Sequence, residues 1–177
     1  MLFWHVGGTT AFVRYAFRDE AMDLRFLVFG ALLPNLIDTP IAAAMWPLWQ
    51  APRLWSHSLL FSATVMVLVL LVTRRGPRRK QWMLLATGIL LHIAFDTMWA
   101  EPETLWWPFL GWEFTRGASA TFGVHLAGVL RNPWVWSGEA IGLLYLGYLW
   151  RASGLNDRRA RHLLATTGRV SAPIDRR

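Results

Sequence analysis

Residues 58–99 read SLLFSATVMVLVLLVTRRGPRRKQWMLLATGILLHIAFDTMW and contain two apolar runs separated by a short basic loop. Apolar runs of about 17–25 residues with almost no charge are typical of helices that cross a bilayer. The loop carries 5 basic residues between Arg74 and Lys80, and by the positive-inside rule such a loop faces the cytoplasm. The stretch therefore predicts two transmembrane helices joined at the cytoplasmic face.

Three further apolar runs lie outside this hairpin, at Leu2–Phe17, Phe26–Trp49 and Trp134–Trp150. Hydrophobic residues form 54% of the 177-residue chain, compared with about 45–50% in a soluble domain. We therefore expect an all-α, multi-pass transmembrane bundle of about five helices, forming one domain over residues 1–152. If Leu2–Phe17 lies on the inner surface instead, the bundle has four helices. The prolines of Phe26–Trp49 predict that this run is a broken helix.

The segment Ala100–Asn132 follows the hairpin on the predicted outer side and is rich in tryptophan, proline and glycine. We expect it to form an outer loop with an amphipathic helix around Ala118–Leu130. Many of the 12 tryptophans lie near the ends of apolar runs. Because tryptophan favours the membrane–water interface, these residues predict an aromatic belt.

Basic residues are concentrated in two places that lie on the same side of the predicted membrane. The chain has a net charge of +7, and 12 of its 18 lysine and arginine residues lie in the loop 74–80 or between residues 151 and 177. This distribution is a topology signal, so nucleic acid is a disfavoured partner. We expect residues 153–177 to be a mobile cytoplasmic tail that contacts anionic lipid headgroups or a cytosolic protein. In the five-helix version the amino terminus is outside.

Ionisable residues within or beside the apolar runs need a compensating role, because a charge at the bilayer centre costs at least about 2.5–3.5 kcal/mol. His92 and Asp96 have the spacing i, i+4, so on a helix both side chains leave the same face and can converge on one cation. Imidazole nitrogen and carboxylate oxygen are standard zinc ligands, and the absence of cysteine excludes thiolate ligands. The alternative is a hydrogen bond between the two residues in a polar core.

Three more residues extend this pair into a candidate metal site. Asp38 lies among the prolines of the second run, His57 lies at the outer start of the third helix, and His5 is on the same side if the first run spans. Each residue also has an alternative that involves no metal. Asp38 would be a helix cap or a salt-bridge partner, His57 would lie at the membrane interface, and His5 would have no specific role. The remaining candidates are Glu139, predicted to be an interhelical hydrogen-bond partner, and His125 and His162, predicted to be surface residues.

The stretches around these residues resemble a known family. They are His5, GALLPNLIDTP (Gly30–Pro40), WSHSLLF (Trp55–Phe61), LLHIAFDTMW (Leu90–Trp99) and PETLWWPFLGWEF (Pro102–Phe114). In this order they resemble the membrane-bound metal-dependent hydrolases, also described as LexA-binding, inner-membrane-associated hydrolases. The family pattern reads Leu-Pro-Asp where this chain has Asn35, which leaves Asp38 as the acid of that turn.

The resemblance, together with a distant likeness of the family to all-α zinc-dependent phospholipases C, implies a divalent metal, with zinc as the expected ion. The implied ligands are His5, Asp38, His57, His92 and Asp96. Asp38 or Asp96 would bridge two ions or act as general base. The implied activity is hydrolysis of an ester or phosphoester, from a lipid or a small molecule, at the outer face of a bacterial inner membrane. The alternative is a non-enzymatic membrane protein, either a transporter or an adaptor whose tail binds a partner.

Overall fold

The computed structural model describes residues 1–174, which form eight α-helices and no strand. The helices are α1 (Thr9–Phe17), α2 (Leu24–Trp49), α3 (Leu59–Val72), α4 (Pro77–Phe95), α5 (Pro102–Leu105), α6 (Phe122–Arg131), α7 (Pro133–Ala152) and α8 (Arg158–Thr167). A π-helical turn at Trp4–Gly8 runs into α1, and 3₁₀ turns lie at Trp55–His57 and Met98–Ala100. The prediction of an all-α chain is confirmed for the described residues.

Among the described helices, α2 has both the length and the hydropathy that a membrane crossing requires. Its 26 residues extend for about 39 Å at 1.5 Å per residue, compared with a hydrocarbon core of about 30 Å. The other long helices are α3 with 14 residues, α4 with 19 and α7 with 20. α4 begins inside the basic loop, so its apolar part is shorter than the helix. α3 and α4 are consecutive helices that pack against each other, as the hairpin prediction requires.

α2 is one continuous helix although it contains three prolines, so the prediction of a broken helix is wrong. A proline lacks an N–H donor and disturbs the turn before it, and freed carbonyl groups then need other partners. The Pro34 carbonyl oxygen accepts a hydrogen bond from the Ser56 hydroxyl at 3.0 Å, and the Ala31 carbonyl oxygen accepts one from the His92 ring at 2.6 Å. Neither oxygen is the one that Pro34 leaves without its helical donor, which is that of Gly30. These two hydrogen bonds instead join α2 to the 3₁₀ turn that contains Ser56 and to α4, and one of their donors is a histidine of the candidate site.

Two glycines allow α2 and α4 to lie in backbone contact. A Cβ atom added at Gly30 would collide with the backbone of Leu85, and one added at Gly88 would collide with the backbone of Leu27. Small residues at helix crossings are the usual means of close packing in membrane proteins. This crossing brings the carboxyl-terminal half of α4 against α2, which places His92 beside the α2 backbone.

α7 fixes the amino-terminal turn in a similar way. Gly142 lies so close to this turn that an added Cβ would collide with the backbone of Phe3, and an added Cβ at Gly7 would collide with Gly142. One turn earlier on α7, the Glu139 carboxylate accepts a hydrogen bond from the Phe3 backbone N–H at 2.9 Å. A carboxylate at a helix amino terminus satisfies free N–H groups and interacts favourably with the helix dipole. The predicted hydrogen-bonding role of Glu139 thus holds, and it anchors the segment that carries His5.

The basic connections gather at one end of the bundle. The Lys80 ammonium lies 3.4 Å from the Asp19 carboxylate, which joins the start of α4 to the α1–α2 connection. α8 docks at the same end, where the Arg25 guanidinium donates a hydrogen bond to the Ala165 carbonyl oxygen at 2.8 Å. We call this the basic end.

The carboxyl-terminal segment is packed against the basic end, so the prediction of a mobile tail is wrong for residues up to 174. Val170 and Ala172 are buried in a cluster with residues of α1, α2 and α7. The Arg14 guanidinium donates to the Ala172 carbonyl oxygen at 2.8 Å, and the Leu24 N–H donates to the Gly168 carbonyl oxygen at 2.9 Å. The segment docks because these apolar side chains cover the core where the helices end. Arg176 and Arg177 of the predicted tail lie outside the described residues.

Replacing Gly168 with alanine should undock this segment. Gly168 has a φ of 71°, which costs a residue with a Cβ about 1–2 kcal/mol, and the added Cβ would collide with the Asp23 side chain. Exposing Val170 would cost a further ~1.5 kcal/mol or more. We expect a lower melting temperature in detergent and faster proteolysis near the carboxyl terminus.

The matched control for this change is Gly154→Ala. Gly154 also has a positive φ, 62°, but an added Cβ meets nothing within 4 Å. This variant therefore carries only the backbone strain. Equal losses of stability in the two variants would contradict the docked segment.

Candidate metal centre

Three histidine rings and one carboxylate meet at the end of the bundle opposite the basic end. His5 comes from the π-helical turn, His57 from the 3₁₀ turn before α3, His92 from the last turn of α4, and Asp96 directly follows α4. The histidines are 0% exposed and Asp96 is 8% exposed. His5, His92 and Asp96 offer ligand atoms within 4.8 Å of one another, and His57 Nε2 lies 3.2 Å from His92 Nε2. Four of the five predicted site residues therefore face one another.

The rings of His57 and His92 are both held through Nδ1. His92 Nδ1 lies 2.6 Å from the Ala31 carbonyl oxygen, and His57 Nδ1 lies 2.7 Å from Asp38 Oδ2. A carbonyl oxygen can only accept, so His92 Nδ1 carries the proton, and the same holds for His57 against an ionised carboxylate. In the neutral rings Nε2 is then the nitrogen with a free lone pair. The Nε2 atoms of both rings lie on the sides of the rings that face each other.

His5 has the same arrangement. Its Nδ1 donates to the Met1 carbonyl oxygen at 2.7 Å, and its ring stacks on His92 with a centroid distance of 4.1 Å. Its Nε2 lies 2.9 Å from Asp96 Oδ1. This contact lacks the alignment of a hydrogen bond, so within the described chain His5 Nε2 is a buried nitrogen without a hydrogen-bond partner. A buried polar atom of this kind calls for an explanation.

The separation of the Nε2 atoms fits a shared cation. Two lone pairs 3.2 Å apart repel each other unless a proton or a cation lies near both. Two nitrogen ligands on one tetrahedral zinc are roughly 3.3 Å apart, because each Zn–N bond is about 2.0–2.1 Å. Histidine ligands of metals usually donate their other N–H to a carboxylate or a carbonyl oxygen. His5, His57 and His92 all meet that condition. His5, His92 and Asp96 are the residues whose ligand atoms lie together and could hold the ion, and His57 Nε2 adjoins this group beside His92.

Asp38 differs from its predicted position. It is fully buried on α2, and its carboxylate accepts hydrogen bonds from His57 Nδ1 and from the Leu54 backbone N–H, both at 2.7 Å. It therefore lies behind His57, on the far side of the ring from Nε2. Spacing along the sequence could not reveal this, because Asp38 and His57 belong to different elements. The position suits a residue that orients His57 and raises its basicity, not one that faces the centre.

Asp96 connects the centre to a second group of charges. Its Oδ2 lies 3.6 Å from His57 Nε2 and accepts a hydrogen bond from Arg53 Nε at 2.8 Å. Arg53 Nη1 in turn donates to Glu101 Oε1 at 2.5 Å. Burial lowers the pKa of Arg53, but the carboxylates of Asp96 and Glu101 outweigh it and raise the pKa above its ordinary value. The guanidinium therefore stays charged at the edge of the site.

The simpler interpretation of the His92–Asp96 pair does not hold as predicted. His92 Nε2 lies 3.9 Å from Asp96 Oδ2, which is too long for a hydrogen bond. The carboxylate turns to His5 and Arg53 instead.

Comparison with protein families assigns the chain to a group of membrane proteins. The sequence model described as YdjM inner membrane protein matches residues 3–157. The chain belongs to the YdjM inner membrane protein family. No match was found among curated proteins or among solved structures. The matched range includes all the histidines and carboxylates of the candidate centre, and the family description supports an inner-membrane location.

Sequence reasoning missed Arg53 and Glu101 as parts of the site of this YdjM family member. A signal for Arg53 was available, since few basic residues lie in the predicted outer segments and this one stands four residues before His57. Glu101 gave no such signal, because it lies in a loop outside the apolar runs, where a charged carboxylate needs no partner to be stable.

The two histidines set aside as surface residues are outside the centre. His125 lies on α6 and packs on Trp46 with a ring distance of 5.3 Å. Partial burial lowers its pKa, and the charge of Arg53 acts in the same direction while Glu101 opposes it. His162 lies on α8 at the basic end.

A cavity of about 570 Å³ also lies at that end, between α1, α4 and α8, and is lined by Met22, Lys80 and Arg169 among others. It does not reach the histidines.

Proposed function

We propose that this YdjM family member is a zinc-dependent hydrolase that cleaves an ester or phosphoester at the outer face of the inner membrane. The observation that carries the proposal is the set of three buried imidazoles. Each is held through Nδ1, the Nε2 atoms of His57 and His92 lie 3.2 Å apart, and His5 Nε2 lies 2.9 Å from Asp96. Nδ1 contacts that turn Nε2 inward on all three rings are the arrangement that a metal centre requires.

The proposal includes a multi-pass topology with five helices: the π-helical turn with α1, then α2, α3, α4 and α7. Apolar side chains on the outside of these helices support it, for example Leu71 at 77%, Val72 at 81% and Leu144 at 73% exposed. Such surface is costly in water and favourable in lipid. With the basic end in the cytoplasm, the histidines lie toward the outer face.

The topology predicts different sides for the two chain ends. Reporter fusions at residues 2 and 177 should show an outside amino terminus and a cytoplasmic carboxyl terminus. The reason is the odd number of crossings together with the basic loop 74–80. Fusions at residue 76 serve as the cytoplasmic control. If residues 2 and 177 report the same side, the first apolar run does not cross and the bundle has four spans.

The residues of the site have separable roles in hydrolysis. A zinc ion held there would lower the pKa of a water ligand toward ~7 and polarise the scissile group. Asp38 orients His57, and the Ala31 carbonyl orients His92. Asp96 is the carboxylate that faces the centre, so it is the better placed of the two acids for proton transfer, with Arg53 holding one of its oxygens.

Zinc content and activity together test the proposal. The purified chain, stripped with a chelator and reloaded, should bind zinc and then hydrolyse chromogenic esters or phosphodiesters. Chelation should abolish that hydrolysis. The control variant is His162→Ala, which removes a histidine at the basic end and should change neither property. Failure to bind zinc would mean that the cluster is structural and that the chain is a transporter or an adaptor. Zinc binding without hydrolysis of any probe would contradict the proposal that the protein is a hydrolase and leave only the zinc site.

A further inference from the structure

Arg53 has more hydrogen-bonding capacity than its two carboxylate partners use. It belongs to the connection between α2 and α3, and its side chain is 26% exposed. Nε donates to Asp96 at 2.8 Å and Nη1 donates to Glu101 at 2.5 Å. A guanidinium has five N–H donors, and in the described chain no contact uses Nη2. One edge of the group thus faces the candidate centre, and the other is free.

The position of Arg53 is fixed from both sides. Asp96 contacts His5 and lies near His57, so the guanidinium touches a carboxylate of the centre itself. Glu101 holds the opposite part of the group, and its Oε2 is buried without a partner in the described residues. A charge fixed in one orientation at the rim of a buried site is suited to binding a ligand of defined shape.

We infer that Arg53 binds the anionic oxygens of the substrate, which makes the substrate class a phosphoester and not a neutral carboxylic ester. This inference rests on the proposed function. A phosphoester offers non-bridging anionic oxygens that match the planar fork of a guanidinium, whereas a neutral ester offers one uncharged carbonyl oxygen. Asp96 and Glu101 already offset the charge of Arg53, so binding an anion also requires the divalent ion. Arg53 and zinc are therefore both necessary for phosphate affinity.

Phosphate titration of the zinc-loaded full chain in detergent tests the inference. Inorganic phosphate should bind the wild-type protein, and Arg53→Gln should raise the Kd at least about tenfold, because a charge-assisted hydrogen bond is lost. Zinc stoichiometry should remain that of the wild type. The matched control is Arg116→Gln, since Arg116 is also in the outer segment but pairs with Glu113 on the surface. This control should leave the Kd for phosphate unchanged.

A second readout separates binding from structure. Arg53→Gln removes the contact with Asp96 for both substrates, so kcat/KM for p-nitrophenyl acetate should also fall. The loss for bis(p-nitrophenyl) phosphate should be at least about tenfold greater. If Arg53→Gln loses zinc or misfolds, phosphate binding by Arg53→Lys provides the test instead. This variant keeps the positive charge but removes the paired N–H donors of the guanidinium. A weaker phosphate affinity in that variant supports the inference, and an unchanged one overturns it. Competition by phosphatidylglycerol nanodiscs or by soluble glycerol phosphate identifies the source of the phosphoester.

The possible failures are distinguishable. No zinc binding at all overturns both the proposed function and this inference. Normal zinc binding with equal phosphate affinity in the wild type and in Arg53→Gln overturns only the role of Arg53. Equal losses for the phosphodiester and the acetate would mean that Arg53 only positions Asp96.

Discussion

Zinc binding should be lost when His92 is replaced by alanine. The Nε2 of His92 lies 3.2 Å from that of His57, and the ring stacks on His5 at 4.1 Å. Loss of an outer hydrogen-bond partner already costs roughly 10–100-fold in metal affinity, so loss of a central ligand should exceed about 100-fold. Calorimetric titration of the metal-free protein with zinc measures the change.

The same substitution should lower stability, because the buried Ala31 carbonyl oxygen loses its donor. Leaving a buried acceptor unsatisfied costs about 1–3 kcal/mol. His125→Ala is the control, since that ring packs on Trp46 away from the centre. If His92→Ala binds zinc as tightly as the wild type, the histidine cluster is not the metal site. A fall in stability alone would then identify a structural polar core.

Asp38→Asn should weaken zinc binding by roughly 10–100-fold without abolishing it, as expected for a residue that orients a ligand. The asparagine keeps the size of the side chain but loses the charge that holds His57 Nδ1–H at 2.7 Å. One zinc should still bind at saturation. Zinc titrations of Asp38→Asn and Asp96→Asn, side by side, measure the difference.

Asp96→Asn is the informative comparison, because Asp96 faces the centre and Asp38 does not. We expect its loss of affinity to exceed that of Asp38→Asn. If Asp38→Asn is as damaging as His92→Ala, Asp38 is itself a ligand, as its position in the sequence first indicated. The three variants thus rank the inner and outer residues of the site.

Part of the fold follows from simple patterns. The helices α3 and α4 and their basic loop were predictable, because hydrophobic length and charge are local properties of the chain. The continuity of α2 was not predictable, because three prolines in one run indicate a break, whereas the helix packs along α4, which lies far along the chain. The docked carboxyl-terminal segment was missed for a similar reason. Its few apolar residues give no periodic pattern and become buried only through α1, α2 and α7.

The candidate site shows the same division. The sequence identified the candidate residues because an ionisable side chain in an apolar run has a high free-energy cost in a membrane unless it has a partner. These residues are His5, Asp38, His57, His92 and Asp96. Which of them face a common centre depends on how α2, α4 and α7 cross. Those crossings depend on glycines such as Gly30, Gly88 and Gly142, whose missing side chains bring backbones together.

The sequence by itself determined that this protein is helical, that its basic loop and tail lie at one end, and that a small set of histidines and aspartates needs an explanation. Only the tertiary structure decided that Asp38 lies behind His57 and that Arg53 reaches Asp96. The physical reason is that composition and periodicity describe one segment at a time. Ligand orientation is set by hydrogen bonds of 2.6–2.8 Å between segments, and no local pattern encodes them.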